Sequence, residues 1–102
     1  MIDLRQHQRA PLDVSVEFVA KGANERLRGR AKDISLGGMF IETSQVLSFS
    51  SEVTVHMTLP SQKAPFVFPG VVRWTRNGGM GVQFGLIGAR ETHAITELTR
   101  GK

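Results

Sequence analysis

The sequence contains no cysteine. That absence removes thiol nucleophiles, zinc–thiolate centres and disulfides together, and it suits a reducing compartment. Tyrosine is missing too, and six Phe with one Trp bring the aromatic share to only 7 %. Stretches such as Met39-Phe40-Ile41 are the longest apolar runs, far short of the ~20 residues that cross a bilayer. Residues 1–14 mix charges and amides and carry no apolar run of signal-peptide length. A cytoplasmic chain with no membrane span is expected. Neither sign of charge dominates, since 13 Lys+Arg against 9 Asp+Glu leave a net +4. Such a balance favours anionic partners without choosing among nucleotides, nucleic acid and acidic protein surfaces. What is present suffices for one core. Of the 102 residues, 40 % are hydrophobic, too large a share for a disordered chain, and the length leaves no room for a second domain.

Period-2 alternation dominates residues 13–85. Val14, Val16 and Phe18 alternate with Ser15 and Glu17, the pattern of a strand with one buried face. Lys21-Gly22-Ala23-Asn24 reads as a turn. Residues 26–32 alternate again, with Leu27, Gly29 and Ala31 on one side and Arg26, Arg28, Arg30 and Lys32 on the other. Gly37-Gly38 punctuates the chain before a third strand opens at Met39-Phe40-Ile41. In the fourth, Val53, Val55, Met57 and Leu59 interleave with Glu52, Thr54, His56 and Thr58. Pro60 and Pro65 bracket a loop. Residues 66–74 are aromatic and β-branched, and Pro69-Gly70 within them predicts a bend or an edge position. Asn77-Gly78 is a hairpin signal, and Val82-Gln83-Phe84 returns as the sixth strand.

Only the tail looks helical: Ala94, Ile95 and Leu98 share a face, and Gly101 follows as a stop. The expected fold is all-β, a six-stranded antiparallel β-barrel with a C-terminal α-helix. Closure would remove the exposed edges of a small sheet. Residues 1–12 are expected to form a mobile leader, 13–85 the barrel and 88–100 the helix, in a single domain.

Enzyme signatures are missing. His7, His56 and His93 form no HExxH or paired-ligand spacing, so no metal is expected. No Ser sits in GxSxG, and no acid–base carboxylate pair stands out. Gly79-Met80-Gly81 resembles the start of a GxGxxG loop, but Phe84 occupies the last glycine position and a strand follows instead of a helix. A tight hairpin with close backbone approach is the better reading.

Two features remain. Arg5 and Arg9 stand four apart ahead of the first strand, and Asp33-Ile34-Ser35-Leu36-Gly37-Gly38 runs from a strand into a small-residue turn. Taken singly, the first is a pair of solvated charges and the second an ordinary turn. Taken together, RxxxR followed by DxSxxG resembles the paired signature of the PilZ domain family. Arg5 and Arg9 fall on the first motif, and Asp33, Ser35 and Gly38 on the second. The flanking Gly37-Gly38-Met39-Phe40-Ile41 and Gly81-Val82-Gln83-Phe84 are similar to that family as well, and the resemblance covers essentially the whole chain.

The resemblance implies a bacterial receptor for cyclic di-GMP, needing no cofactor, whose arginine leader closes over ligand on the outer barrel surface and presents a new face to a downstream protein partner. Residue chemistry agrees. A guanidinium fork meets guanine O6 and N7 bidentately, and Arg–phosphate bonds are charge-assisted. Guanine N1–H and N2–H₂ offer donors only, which suits Asp33 as acceptor. Ser35 donates or accepts at short reach, and Gly38 is expected to let the backbone approach the ligand. Gln8 and Gly37 are further candidate contacts, and Trp74 could either stack on a guanine or pack within the barrel. Arg73 and Arg76 could add phosphate contacts, but solvated strand-end charges are the favoured reading. Leu4 stands where family members often carry a further basic residue, which points to one ligand per protomer. Two alternatives are a small basic barrel for single-stranded nucleic acid, suited by the Arg26–Lys32 stripe, and a barrel of this type that binds only protein. Specific nucleic-acid binding is not expected, because no exposed rings alternate with the basic residues.

Overall fold

The computed structural model describes residues 9–58 and 64–100. The strands are β1 (Ala10–Ala20), β2 (Leu27–Ser35), β3 (Gly38–Glu42), β4 (Glu52–Met57), β5 (Phe66–Arg76) and β6 (Gly79–Phe84), followed by helix α1 (Ala89–Arg100). All neighbours pair antiparallel, and the order β1-β2-β3-β6-β5-β4 closes into a barrel through the β1–β4 ladder. Inward positions interlock as one core, in which Phe18, Ile34, Val55, Phe68 and Met80 are fully buried. Each such side chain contributes roughly 1.5–3 kcal/mol relative to exposure. Among the described residues, no helix is long and apolar enough to cross a membrane.

Helix α1 plugs the barrel with Ile95, which is fully buried, while Ala94 and Leu98 pack beside it. Its first turn is pinned to the start of β5. Glu91 Oε2 accepts the Val67 N–H at 3.0 Å, and Arg90 donates to the Ala64 and Pro65 carbonyls at 2.8 and 3.1 Å. The acidic side chain at this end also matches the positive pole of the helix.

One boundary differs from the sequence reading. β1 begins at Ala10, so residues 10–12 of the expected leader belong to the barrel: Ala10 is buried and pairs with Ile34, and Pro11 pairs with Asp33. Leu12 and Asp13 together face the single residue Lys32, and this irregularity interrupts the alternation that would have marked the strand from sequence. At Pro69-Gly70, where a bend or an edge position was expected, β5 is continuous and the position is edge-like. In a strand, a residue's N and O point to the same side, and the Pro69 carbonyl accepts the N–H of Gly85, just past the end of β6. The missing N–H therefore faces a place where the ladder has already ended. Arg5, Gln8, Leu59 and Pro60 lie outside the described residues, as does any test of leader mobility over residues 1–8.

Candidate functional site

The site is built by two bulges. Ala31 pairs with Ile41 and Asp33 with Phe40, leaving Lys32 as an extra residue on β2. A bulge advances the side-chain phase by one. Leu27, Gly29 and Ala31 share the inner side, but beyond the bulge Ile34 is the buried residue. Asp33, in phase with Ala31 by count, is thereby turned outward. β5 repeats the device: Val72 pairs with Val82 and Trp74 with Gly81, leaving Arg73 extra. Phe66, Phe68, Gly70 and Val72 are buried in alternation, yet Trp74 emerges 46 % exposed. That settles its orientation on the outer face of the barrel.

Between the bulged strands lie β3 and β6, whose outward positions include Gly38, Gly79 and Gly81. A Cβ on Gly81 would run into the Trp74 indole, and one on Gly79 into the Phe40 ring. The two rings stack with centroids 5.3 Å apart and planes 9° from parallel, and the Arg76 guanidinium lies 4.5 Å from the Phe40 centroid. The Gly79-Met80-Gly81 segment is thus a seat for aromatic rings. Gly38 is also required by packing: its Cβ would collide with the Val82 carbonyl of β6.

Arg9, just ahead of β1, joins the two motifs. Its Nε and Nη2 both donate to Asp33 Oδ1, at 3.1 and 2.6 Å, and its Nη1 lies 3.5 Å from Ser35 Oγ. Both Arg9 bonds fall on Oδ1, so Oδ2 receives nothing from it. The pair is about one-third to two-fifths exposed, which limits its worth to about 0–1 kcal/mol and leaves it open to competition. Ser35 is buried and accepts the Gly37 N–H at 3.2 Å, tightening the β2–β3 turn.

A pocket of about 250 Å³ occupies this outer surface. Arg9, Ser35 and Gly37 form one wall, and Trp74 stands on the other. Gly38, Gly81 and Val82 contribute the floor. Asp33 reaches the rim through Arg9. The structure therefore brings Arg9, Asp33, Ser35, Gly37, Gly38 and Trp74 together. It also adds Gln83, which the sequence reading did not single out, and Arg73, which that reading favoured as a solvated charge. Arg73 and Gln83 line the same pocket, and Arg73 Nε donates to Gln83 Oε1 at 2.6 Å. Proximity to Trp74 was the available signal, but consecutive strand residues share a face only where a bulge intervenes.

The basic stripe lies elsewhere, on the β1–β2 surface, and it is matched by acids. Arg26 and Arg28 approach Glu17 at 3.0 and 3.9 Å, while Arg30 and Lys32 approach Asp13 at 2.6 and 3.3 Å. Hydrogen bonds from Arg30 and then Lys32 hold the Asp13 carboxyl below the usual carboxylate range. His56, on β4 opposite Glu17, is pushed below the usual imidazole value by burial first and by the Arg26 charge second.

Residues 3–101 match the PilZ domain family. No curated protein matches the chain. Among solved structures, the chain is similar to the inhibitor of motility MotI/DgrA of Bacillus subtilis, with 22 % identity and a TM-score of 0.79 over 96 % of this chain and 50 % of that one. It thus spans half the length of the Bacillus protein. The PilZ domain of YcgR from Escherichia coli, solved with c-di-GMP, gives 15 % identity and a TM-score of 0.76 over 95 % of this chain and 89 % of that one. The PilZ domain of CeSA from a cellulose-synthesizing bacterium gives 20 % and 0.71 over 91 % and 95 %. At such identities the likeness establishes the fold.

Proposed function

The chain belongs to the PilZ domain family, and we propose that it is a receptor for cyclic di-GMP rather than an enzyme, binding the dinucleotide in the glycine-floored valley between β2 and β5. One observation carries the reading. Arg9 meets Asp33 and Ser35, 24 and 26 residues further along the chain, within hydrogen-bonding distance beside the pocket. The Arg9 fork holds Asp33 by one oxygen and leaves Oδ2 to accept from guanine N1–H and N2–H₂. The exposed Trp74 face offers a base a stacking platform worth about 1–3 kcal/mol. Arg5 supplies a second guanidinium from the N-terminal segment. In this reading its contacts with ligand draw that segment over the valley and present a new surface to a protein partner.

Calorimetric titration tests the proposal. Cyclic di-GMP should bind saturably with one ligand per protomer, and the adenine analogue should be rejected. Equal binding of both, or of neither, would overturn it. The nucleic-acid alternative draws no support from the stripe, where four cations share the carboxylates of Glu17 and Asp13.

A further inference from the structure

We infer that Arg73, held in place by Gln83, is a second phosphate-binding arm of this site, standing across the valley from Arg9. The inference rests on the cyclic dinucleotide reading and deepens it, since that reading assigns Arg73 no role.

Position comes first. The order β2-β3-β6-β5 places three strand spacings between the wall that carries Ser35 and the wall that carries Arg73, or ~14 Å at the backbone. The floor between them is lined by Gly38, Gly81 and Val82. A ligand lying across that floor has cations at both ends. The two arms differ in how their charge is matched. Arg9 is bound to a carboxylate, whereas the partner of Arg73 is a neutral amide, and among the described residues no carboxylate pairs with Arg73.

The geometry of the Arg73 bond matters as well. Gln83 takes only Nε, which fixes the guanidinium plane and leaves the edge formed by Nη1 and Nη2 for a bidentate bond to a phosphodiester. Cyclic di-GMP carries two phosphodiesters on opposite sides of its ring. One arm each for them is a division of labour that a single arginine wall cannot supply. Gln83 is then a positioning residue.

The test titrates cyclic di-GMP into the parent, Arg73→Ala, Arg73→Lys and Gln83→Ala, each from about 0.1 M to about 1 M salt, a range over which the screening length falls from about 10 to 3 Å. Arg73→Ala should bind at least tenfold more weakly and with a shallower salt dependence than the parent. Arg73→Lys should keep the salt dependence while recovering only part of the affinity, and Gln83→Ala should keep it with a loss of about two- to fivefold. Arg73 is exposed, and the near-ultraviolet dichroism of Trp74 checks that the variants keep their fold. If the parent binds and Arg73→Ala binds within twofold of it, or binds weakly with an unchanged salt dependence, the second arm is refuted alone. If the parent itself fails to bind, the receptor reading falls and takes the arm with it.

Discussion

Two outer faces of one barrel carry arginines and treat them oppositely. On the β1–β2 face, Arg26, Arg28, Arg30 and Lys32 stand in strand alternation opposite Glu17 and Asp13, and their charge is spent within the sheet. On the β2–β3–β6–β5 face the cations are three, Arg9, Arg73 and Arg76, against four, but bulges turn Asp33, Arg73 and Trp74 outward around a floor of glycine. The density of basic residues is therefore a poor marker of a binding surface here. A site needs room and groups whose bonding capacity is left over; the ladder face has room, a cavity of about 560 Å³ beside Glu17, Arg26 and Arg28, but its four cations already share two carboxylates. Exposed ion pairs of the ladder kind contribute little individually, so that face is best understood as a solvated surface with its own counter-charges.

Four experiments would break or sharpen this contrast. The largest effect is expected at the floor. Gly38→Ala forces a Cβ into the Val82 carbonyl, a backbone atom that no rotamer change can move, and should cost about 2–3 kcal/mol in urea unfolding. Next, Asp33→Ala should weaken cyclic di-GMP binding at least tenfold, in line with ~1.5–3 kcal/mol for hydrogen bonds to charged groups. It should also narrow the gap between guanine and adenine ligands. Arg30→Ala on the other face should stay within twofold of the parent, and equal losses in the two variants would erase the distinction between the faces. Gly81→Ala should lift the Trp74 indole off its seat, lowering affinity about fivefold and shifting the emission of the single tryptophan.

The smallest effect belongs to the ladder and is read against pH. The folded pKa of Asp13 is lowered by Arg30 and Lys32. Its contribution to stability is thus present above the unfolded carboxylate value of about 4 and is lost as pH falls through the lower folded value. Asp13→Asn should flatten the acid limb of the stability curve below that point and leave ligand binding unchanged. An unaltered acid limb would show that the pairing carries no linkage.

The strand count and the terminal helix were legible because each is a local signal, and the motif residues through their paired resemblance to a family. Val53, Val55 and Met57 alternate without interruption, and β4 was placed correctly up to the residues that lie outside the description. Pro69 left a bend and an edge position both open, because its tolerance depends on where β6 stops, some fifteen residues away in sequence. The start of β1 was missed because the Leu12–Asp13 irregularity breaks the alternation. Arg73 was favoured as a solvated strand-end charge over a phosphate contact, and strict alternation, which would place it and Trp74 on opposite faces, offers no hint of the bulge that brings both to the pocket.

Alternation and turn residues were enough to specify a barrel with a helix, since those signals are carried by neighbours along the chain, while Arg9, Asp33, Ser35 and Gly38 were singled out by the resemblance of their paired motifs to a known family. The direction in which Asp33 and Trp74 point, the emptiness of the floor beneath the rings and the pairing of the basic stripe were set by contacts between strands distant in sequence. A bulge is an offset between two registers, and one strand read by itself has no register to be offset from.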